Sequence, residues 1–215
     1  MRRQIKVLFT VFVAMLLGIQ PVAVVKSEAK RNYTVKKALK AYKVLMLHGN
    51  VQEDRYFSDY EGELQFSIQD MNNDGIPELL LEGLDAMYGL ANCASVFTYH
   101  NDALVHLGDS GHSGWFEYYK NSNVIKATEY AMGNTHEQYL IMENGTTERI
   151  ASKEMIMGFN EDTGEDTYDI TYYLKDKKVS EKEYTEALKK YNVTDKAVQY
   201  KTYEFTKENV LTYCK

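Results

Sequence analysis

The stretch QDMNNDGIPELLLEG, Gln69–Gly83, decides how this chain is read. It gathers Asp70, Asn72, Asp74 and Glu78 around Gly75 and Pro77, then runs directly into Leu79, Leu80 and Leu81. Counting Asp70 as position one, oxygen-bearing side chains fall at one, three, five and nine, and the Ile76 carbonyl is available at seven. A hard cation such as Ca2+ takes about six to eight oxygens, and a tight loop collects them from few residues. Glycine at position six permits the positive φ that a sharp bend requires. Pro77 fixes its own φ and gives up an N–H that a loop need not use. The spacing therefore predicts a structural Ca2+ held by Asp70, Asn72, Asp74, Ile76 through its backbone, and Glu78. Calcium is preferred to magnesium because the cage would be all protein, and a single extracellular site of this kind binds in the ~10⁻⁴–10⁻³ M class.

The flanks decide what the loop connects. An EF-hand needs an acid at position twelve and a helix on each side; here position twelve is Leu81. Leu64, Phe66 and Ile68 alternate with polar residues before the loop, and the three leucines follow it, so both sides read as strands.

Working outward, the same two-residue period recurs. SVFTYHNDALVHLG, WFEYYKNSNVIKATEY, EQYLIMENGTTERIA and DITYYLKDKKV each carry an aromatic-rich half, a short polar turn and a second apolar half. Each is the pattern of a hairpin. The chain holds 18 Tyr and 8 Phe but only 2 Pro, a composition that favours pleated, half-buried surfaces. Two amphipathic helices interrupt the pattern. Thr34–His48 has an apolar stripe of Val35, Ala38, Leu39, Tyr42, Leu45 and Met46, with Thr34 as the expected N-cap. Ser180–Tyr191 opens with a Ser180/Glu183 capping box. Thr206 is placed to cap a last short helix near the C-terminus. The expectation is an α+β fold: an N-terminal amphipathic helix packed on one antiparallel multi-hairpin sheet, a meander with partly propeller-like character, and short C-terminal helices.

The ends and the charge set the compartment. Arg2, Arg3 and Lys6 precede an uncharged apolar run, Val7–Ile19, which is shorter than the roughly 20 residues of a spanning helix. That is the pattern of a signal peptide over residues 1–29, cut after Ala29 or after Ala23, followed by one extracellular domain over 30–215. The whole chain has 25 basic and 31 acidic residues. Removing residues 1–29 takes away four basic and one acidic residue, so the net charge moves from −6 to about −9. An acidic balance of this size argues against nucleic acid or an anionic membrane surface as partner. Cys93 and Cys214 could pair in an oxidising compartment, but spacing alone leaves that open.

The loop resembles the D-x-[DN]-x-D-G-x-x-[DE] loops of FG-GAP and VCBS-type repeats, in which calcium sits in the turn between two antiparallel strands. More broadly, the order of helix, FSIQDMNNDGIPELLL, VFTYHNDALVHLG and KVSEKEYTEALKKY resembles a set of uncharacterised secreted proteins of Gram-positive anaerobes. That resemblance implies the fold and the compartment; it supplies no reaction.

Other constellations are weaker. GDSGHSGW, Gly108–Trp115, has four letters of a trypsin-like nucleophile segment, but no recognisable histidine motif lies upstream and too little chain precedes residue 108 for that fold's first barrel. His100, His106, His112 and His136 are dispersed, whereas zinc needs three or four convergent ligands. The acids of FNEDTGED, Phe159–Asp166, read as a solvated loop, and Trp115 as the ring with the best prospect of exposure. The function expected is a secreted or cell-surface calcium-stabilised binding or structural protein. It would be non-enzymatic and monomeric, and would take a glycan or protein ligand. The alternative is an extracellular hydrolase acting on wall or dietary polymers, with a cleft lined by aromatics and acids.

Overall fold

The computed structural model describes residues 30–48, 64–84, 91–110, 113–193 and 196–215. The leader expected over residues 1–29 lies outside them.

Most of the described chain is antiparallel β-structure. Among the described residues eleven strands form two sheets, with three helices. In the first sheet, β1 (Leu64–Gln69), β2 (Glu78–Leu84), β3 (Ala91–His100), β4 (Ala103–Asp109) and β11 (Tyr203–Glu204) lie in the order β11-β1-β2-β3-β4. The second contains β5 (Gly114–Tyr118), β6 (Val124–Ala131), β7 (Asn134–Glu143), β8 (Thr146–Asn160), β9 (Glu165–Leu174) and β10 (Lys177–Val179), in the order β10-β9-β8-β7-β6-β5. The helices are α1 (30–48), α2 (Glu181–Lys189) and α3 (Lys207–Tyr213).

The four hairpins read from the sequence are present as β3–β4, β5–β6, β7–β8 and β9–β10. Their turns use left-handed residues where short polar side chains tolerate them, as at Asn101-Asp102 and Asn144-Gly145. The single sheet expected from this series is corrected to two. The split falls after β4, where Ser110 leaves the first sheet while still bonded to it: its N–H donates to the Ala94 carbonyl at 2.9 Å. Two further hairpins close the second sheet. The β6–β7 turn at Met132-Gly133 has φ of 50° and 83°. The loop in FNEDTGED is the β8–β9 turn, with the Gly164 N–H donating to the Asn160 carbonyl and Asn160 Oδ1 accepting from Asp162 and Thr163 N–H.

The helix ends follow capping chemistry. Ser180 accepts from Glu183 N–H while Glu183 reaches back to the Ser180 N–H, the reciprocal box expected. Thr206 caps α3 through Asn209 N–H. Thr34 does not cap α1. Residue 30 is already helical, and the Thr34 hydroxyl instead donates to the Lys30 carbonyl one turn back.

Three apolar clusters hold these layers. Ala38, Tyr42 and Met46 of α1 pack with Phe66, Leu79 and Leu81 on one face of the first sheet, where Val210 of α3 joins them. Leu80, Ala94 and Val96 on the opposite face meet Phe116, Tyr118, Ile125 and Ala127 of the second sheet. The leucine triplet thus alternates between two cores, as successive strand residues must. Tyr184 and Leu188 of α2 cover Tyr139, Ile150 and Ala151 on the outer face of the second sheet. Cys93 and Cys214 are both buried in the cluster beneath α1. Among the described residues no helix is long and apolar enough to cross a membrane.

Candidate metal centre

Residues 70–77 connect β1 to β2, and Gln69 faces Glu78 across the two strands. The loop is therefore a strand-to-strand turn with no flanking helix. Asn73 and Gly75 take φ of 61° and 85°; the bend falls where glycine was expected to permit it. A Cβ at Gly75 would lie 2.7 Å from Cδ of the exposed Arg31 side chain, which would have to shift.

Hydrogen bonds within the loop shape it. Asp70 Oδ2 accepts the Gly75 N–H at 3.0 Å and Asp74 Oδ1 the Ile76 N–H at 2.7 Å. Asn72 Oδ1 accepts the Asp74 N–H, and its amide nitrogen donates to Asp74 Oδ2 at 3.1 Å and Glu78 Oε1 at 3.3 Å. Asn72 thus ties two of the expected ligands together. Glu78 is wholly buried, with Oε2 accepting the Met71 N–H at 2.8 Å and Oε1 the Thr98 hydroxyl at 3.0 Å. Asp70 Oδ2 is taken by the Gly75 N–H, and its second oxygen, Oδ1, is buried without a hydrogen-bond partner.

Three neighbours that the sequence did not mark hold the loop in place. The Tyr42 hydroxyl, from α1, donates to the Pro77 carbonyl at 2.7 Å. Thr98 of β3 meets Glu78. The Asn73 amide donates to the Ser122 carbonyl in the β5–β6 turn at 2.6 Å. Tyr42 was legible only as an apolar helix position, and Thr98 and Ser122 as ordinary hairpin residues.

The electrostatics are those of buried acid. Desolvation, with the charges of Asp74 and Asp70 adding to it, pushes Glu78 up to about 8. Burial likewise raises Asp70, against the lowering effect of the Gly75 N–H. Among the described residues no salt bridge joins Asp70, Asp74 or Glu78 to a lysine or arginine. Nor do three or more His, Cys, Asp or Glu side chains converge into a ready-made metal cage. Three of the expected donors, Asp70, Asp74 and Glu78, are carboxylates, and among the described residues they do not converge on one point. The donors that are present fit a hard cation: all are oxygens, three are carboxylates, and one buried carboxylate oxygen is unsatisfied.

The remaining candidates separate. Ser110 is buried, and its hydroxyl accepts the Ala94 N–H, so it serves the sheet junction rather than a nucleophile's role. His106 and Ser95 both bond Asp109, which places the acid and not the imidazole beside the serine; base activation of a serine needs the opposite order. His112 lies outside the described residues. Trp115, the ring with the best prospect of exposure, is half-buried and lines a groove with Glu117, Lys196 and Tyr200.

No protein-family model matches this chain, and no curated protein or solved structure matches it either.

Proposed function

We propose that this chain is a secreted or cell-surface binding or structural protein whose fold is stabilised by Ca2+ in the loop between β1 and β2. The observation that carries the reading is the buried, unpartnered Asp70 Oδ1 in the same loop that leads into the fully buried Glu78. An unsatisfied buried carboxylate oxygen is costly, and a divalent cation offsets that cost for several carboxylates at once. Asp70, Asn72, Asp74 and Glu78 would supply side-chain oxygens and Ile76 its carbonyl. The ion would be structural, neutralising three carboxylates where α1, β3 and the β5–β6 turn meet.

The compartment rests on the charged and apolar pattern of residues 1–29 together with the acidic remainder. Packing of α1 on the first sheet supports an α+β class. The non-enzymatic reading draws on the arrangement around Ser95, His106 and Asp109, which lacks the order of an activated nucleophile. The test is thermal melting with excess Ca2+ and with chelator, for wild type and Asp74→Ala. The expected result is a higher midpoint with Ca2+ in wild type and a smaller gain in the variant. Superimposable wild-type curves under the two conditions would overturn the proposal.

A further inference from the structure

Among the described residues the outer face of the second sheet is covered at one end only. Cross-strand partners share a face, so the registers Thr128–Glu137–Lys153–Tyr172, Thr135–Met155–Ile170 and Met157–Tyr168 trace one continuous surface along β6–β9. Near α2 it is closed by Tyr184 and Leu188. In its middle the charges are paired: Lys126 reaches Glu117 and Glu137, and Lys153 reaches Glu137. Beyond Met155 the surface changes character. β7 begins at Asn134 and its pairing stops at Thr135–Met155, so β8 and β9 continue as a two-stranded ribbon to the turn at residues 161–164.

That ribbon and the neighbouring β6–β7 turn expose large apolar side chains on this face. Tyr130 is 48% exposed, Met132 94%, Met157 41%, Phe159 64%, Tyr168 51% and Ile170 46%. Contiguous exposed apolar surface of this kind marks an interaction site. Three observations say what covers it. First, β10 pairs β9 only at Tyr172, Tyr173 and Leu174, so among the described residues Glu165–Thr171 has no strand on its outer edge. Such an edge offers a row of backbone donors and acceptors to an added strand. Second, residues 154–174 contain six acids, Glu154, Glu161, Asp162, Glu165, Asp166 and Asp169, and no lysine or arginine. Third, no salt bridge among the described residues uses the acids at 161–169. A second copy pairing edge to edge would bring these like charges together.

We infer that the β8–β9 ribbon docks a cationic peptide segment in extended form, which adds as a strand along Glu165–Thr171. Its apolar side chains would lie on Met157, Phe159, Tyr168 and Ile170, and its basic side chains beside the ribbon's carboxylates. This site goes beyond the calcium reading and does not depend on it.

The probe is a fluorescent nine-residue peptide of alternating valine and lysine, titrated by anisotropy against the full chain at low and high salt, with Ca2+ and with chelator. Two control peptides are used: one with glutamate for lysine, and one with valines and lysines in separate blocks. The alternating cationic peptide should bind at least about tenfold tighter than either control. Salt should weaken it. Tyr168→Ser combined with Phe159→Ser, and separately Asp169→Lys, should each reduce binding while leaving the melting midpoint within about 2 °C, since these side chains are exposed. Binding of the block peptide equal to the alternating one would overturn strand addition. No binding, or self-association abolished by the double variant, would overturn the cationic partner. Loss of binding in chelator alone, with the variants still binding in Ca2+, would move the site away from the ribbon and so overturn the inference too.

Discussion

The Asn73 side-chain amide donates to the Ser122 carbonyl at 2.6 Å, so a loop of the first sheet is bonded to a turn of the second. Asn73 holds this position with φ of 61°, a conformation Asn tolerates better than most residues. The two properties separate by substitution. Asn73→Gly keeps the backbone and loses the bond, which contributes about 0.5–1.5 kcal/mol. Asn73→Ala loses the bond and adds left-handed strain of roughly 1–2 kcal/mol. The expected order of melting midpoints is wild type, then Asn73→Gly, then Asn73→Ala, at roughly 2–4 °C per kcal/mol. Equal midpoints for the two variants would remove the role given to the backbone.

Glu78 is both a proposed ligand and a buried acid with a raised pKa. Glu78→Gln keeps the size and removes the charge; its one amide oxygen can accept the Met71 N–H, and its NH2 can donate to the Thr98 hydroxyl, which now donates to Glu78. In chelator at about pH 8 the variant should melt higher than wild type, because the desolvation cost of the carboxylate is gone. In excess Ca2+ the order should reverse, since the ion loses a charged oxygen. Differential scanning fluorimetry under the two conditions distinguishes this from a purely structural role, which would move both midpoints the same way.

A second buried acid sits away from the loop. Glu82 is 5% exposed and accepts the Tyr200 hydroxyl at 2.6 Å, while that oxygen also lies 3.1 Å from the Phe116 carbonyl. Desolvation raises Glu82 above the usual 4.5, and the Tyr200 hydrogen bond only partly opposes it. A carboxylate whose folded pKa is raised contributes stability that is fully present below about 4.5 and is lost as pH rises through the folded value. Glu82→Gln should therefore gain on wild type as pH climbs from about 4.5 towards 8, and the gap should be smallest at the acid end. Melting midpoints across that range read the difference directly; a gap that shrinks as pH rises would reverse the sign argued here.

The Cys214 thiol is 1% exposed, and burial pushes it up to about 11. Since the thiolate is the reactive species, iodoacetamide at about pH 8 should leave the Cys214 peptide largely unmodified in the folded protein and alkylate it rapidly in denaturant. Peptide mass spectrometry gives both rates. Comparable rates would place Cys214 outside the core.

Much of the architecture was legible because it is local. The Ser180/Glu183 box, the Thr206 cap and the Asn144-Gly145 turn each depend on residues within four positions of one another. The loop's spacing likewise located Asp70, Asn72, Asp74 and Glu78 on one bend between strands. What the sequence hid is set by distant partners. Thr98, 20 residues beyond Glu78, and Ser122, 49 beyond Asn73, reach the loop only because sheet order brings them there. The division into two sheets is hidden for the same reason, since hairpin patterns state which neighbours pair and not where a series breaks. The Met132-Gly133 turn escaped notice because Met is not a residue that favours φ of 50°.

The alternation of Leu79, Leu80 and Leu81 between opposite sides of β2 has a consequence for how the molecule comes apart. The helical layer holds Leu79 and Leu81 from one side, and the second sheet holds Leu80 from the other. Stripping either layer would lay bare half of that strand, so neither layer has a melting event of its own to undergo. A calorimetric trace should show a single peak in which both depart together.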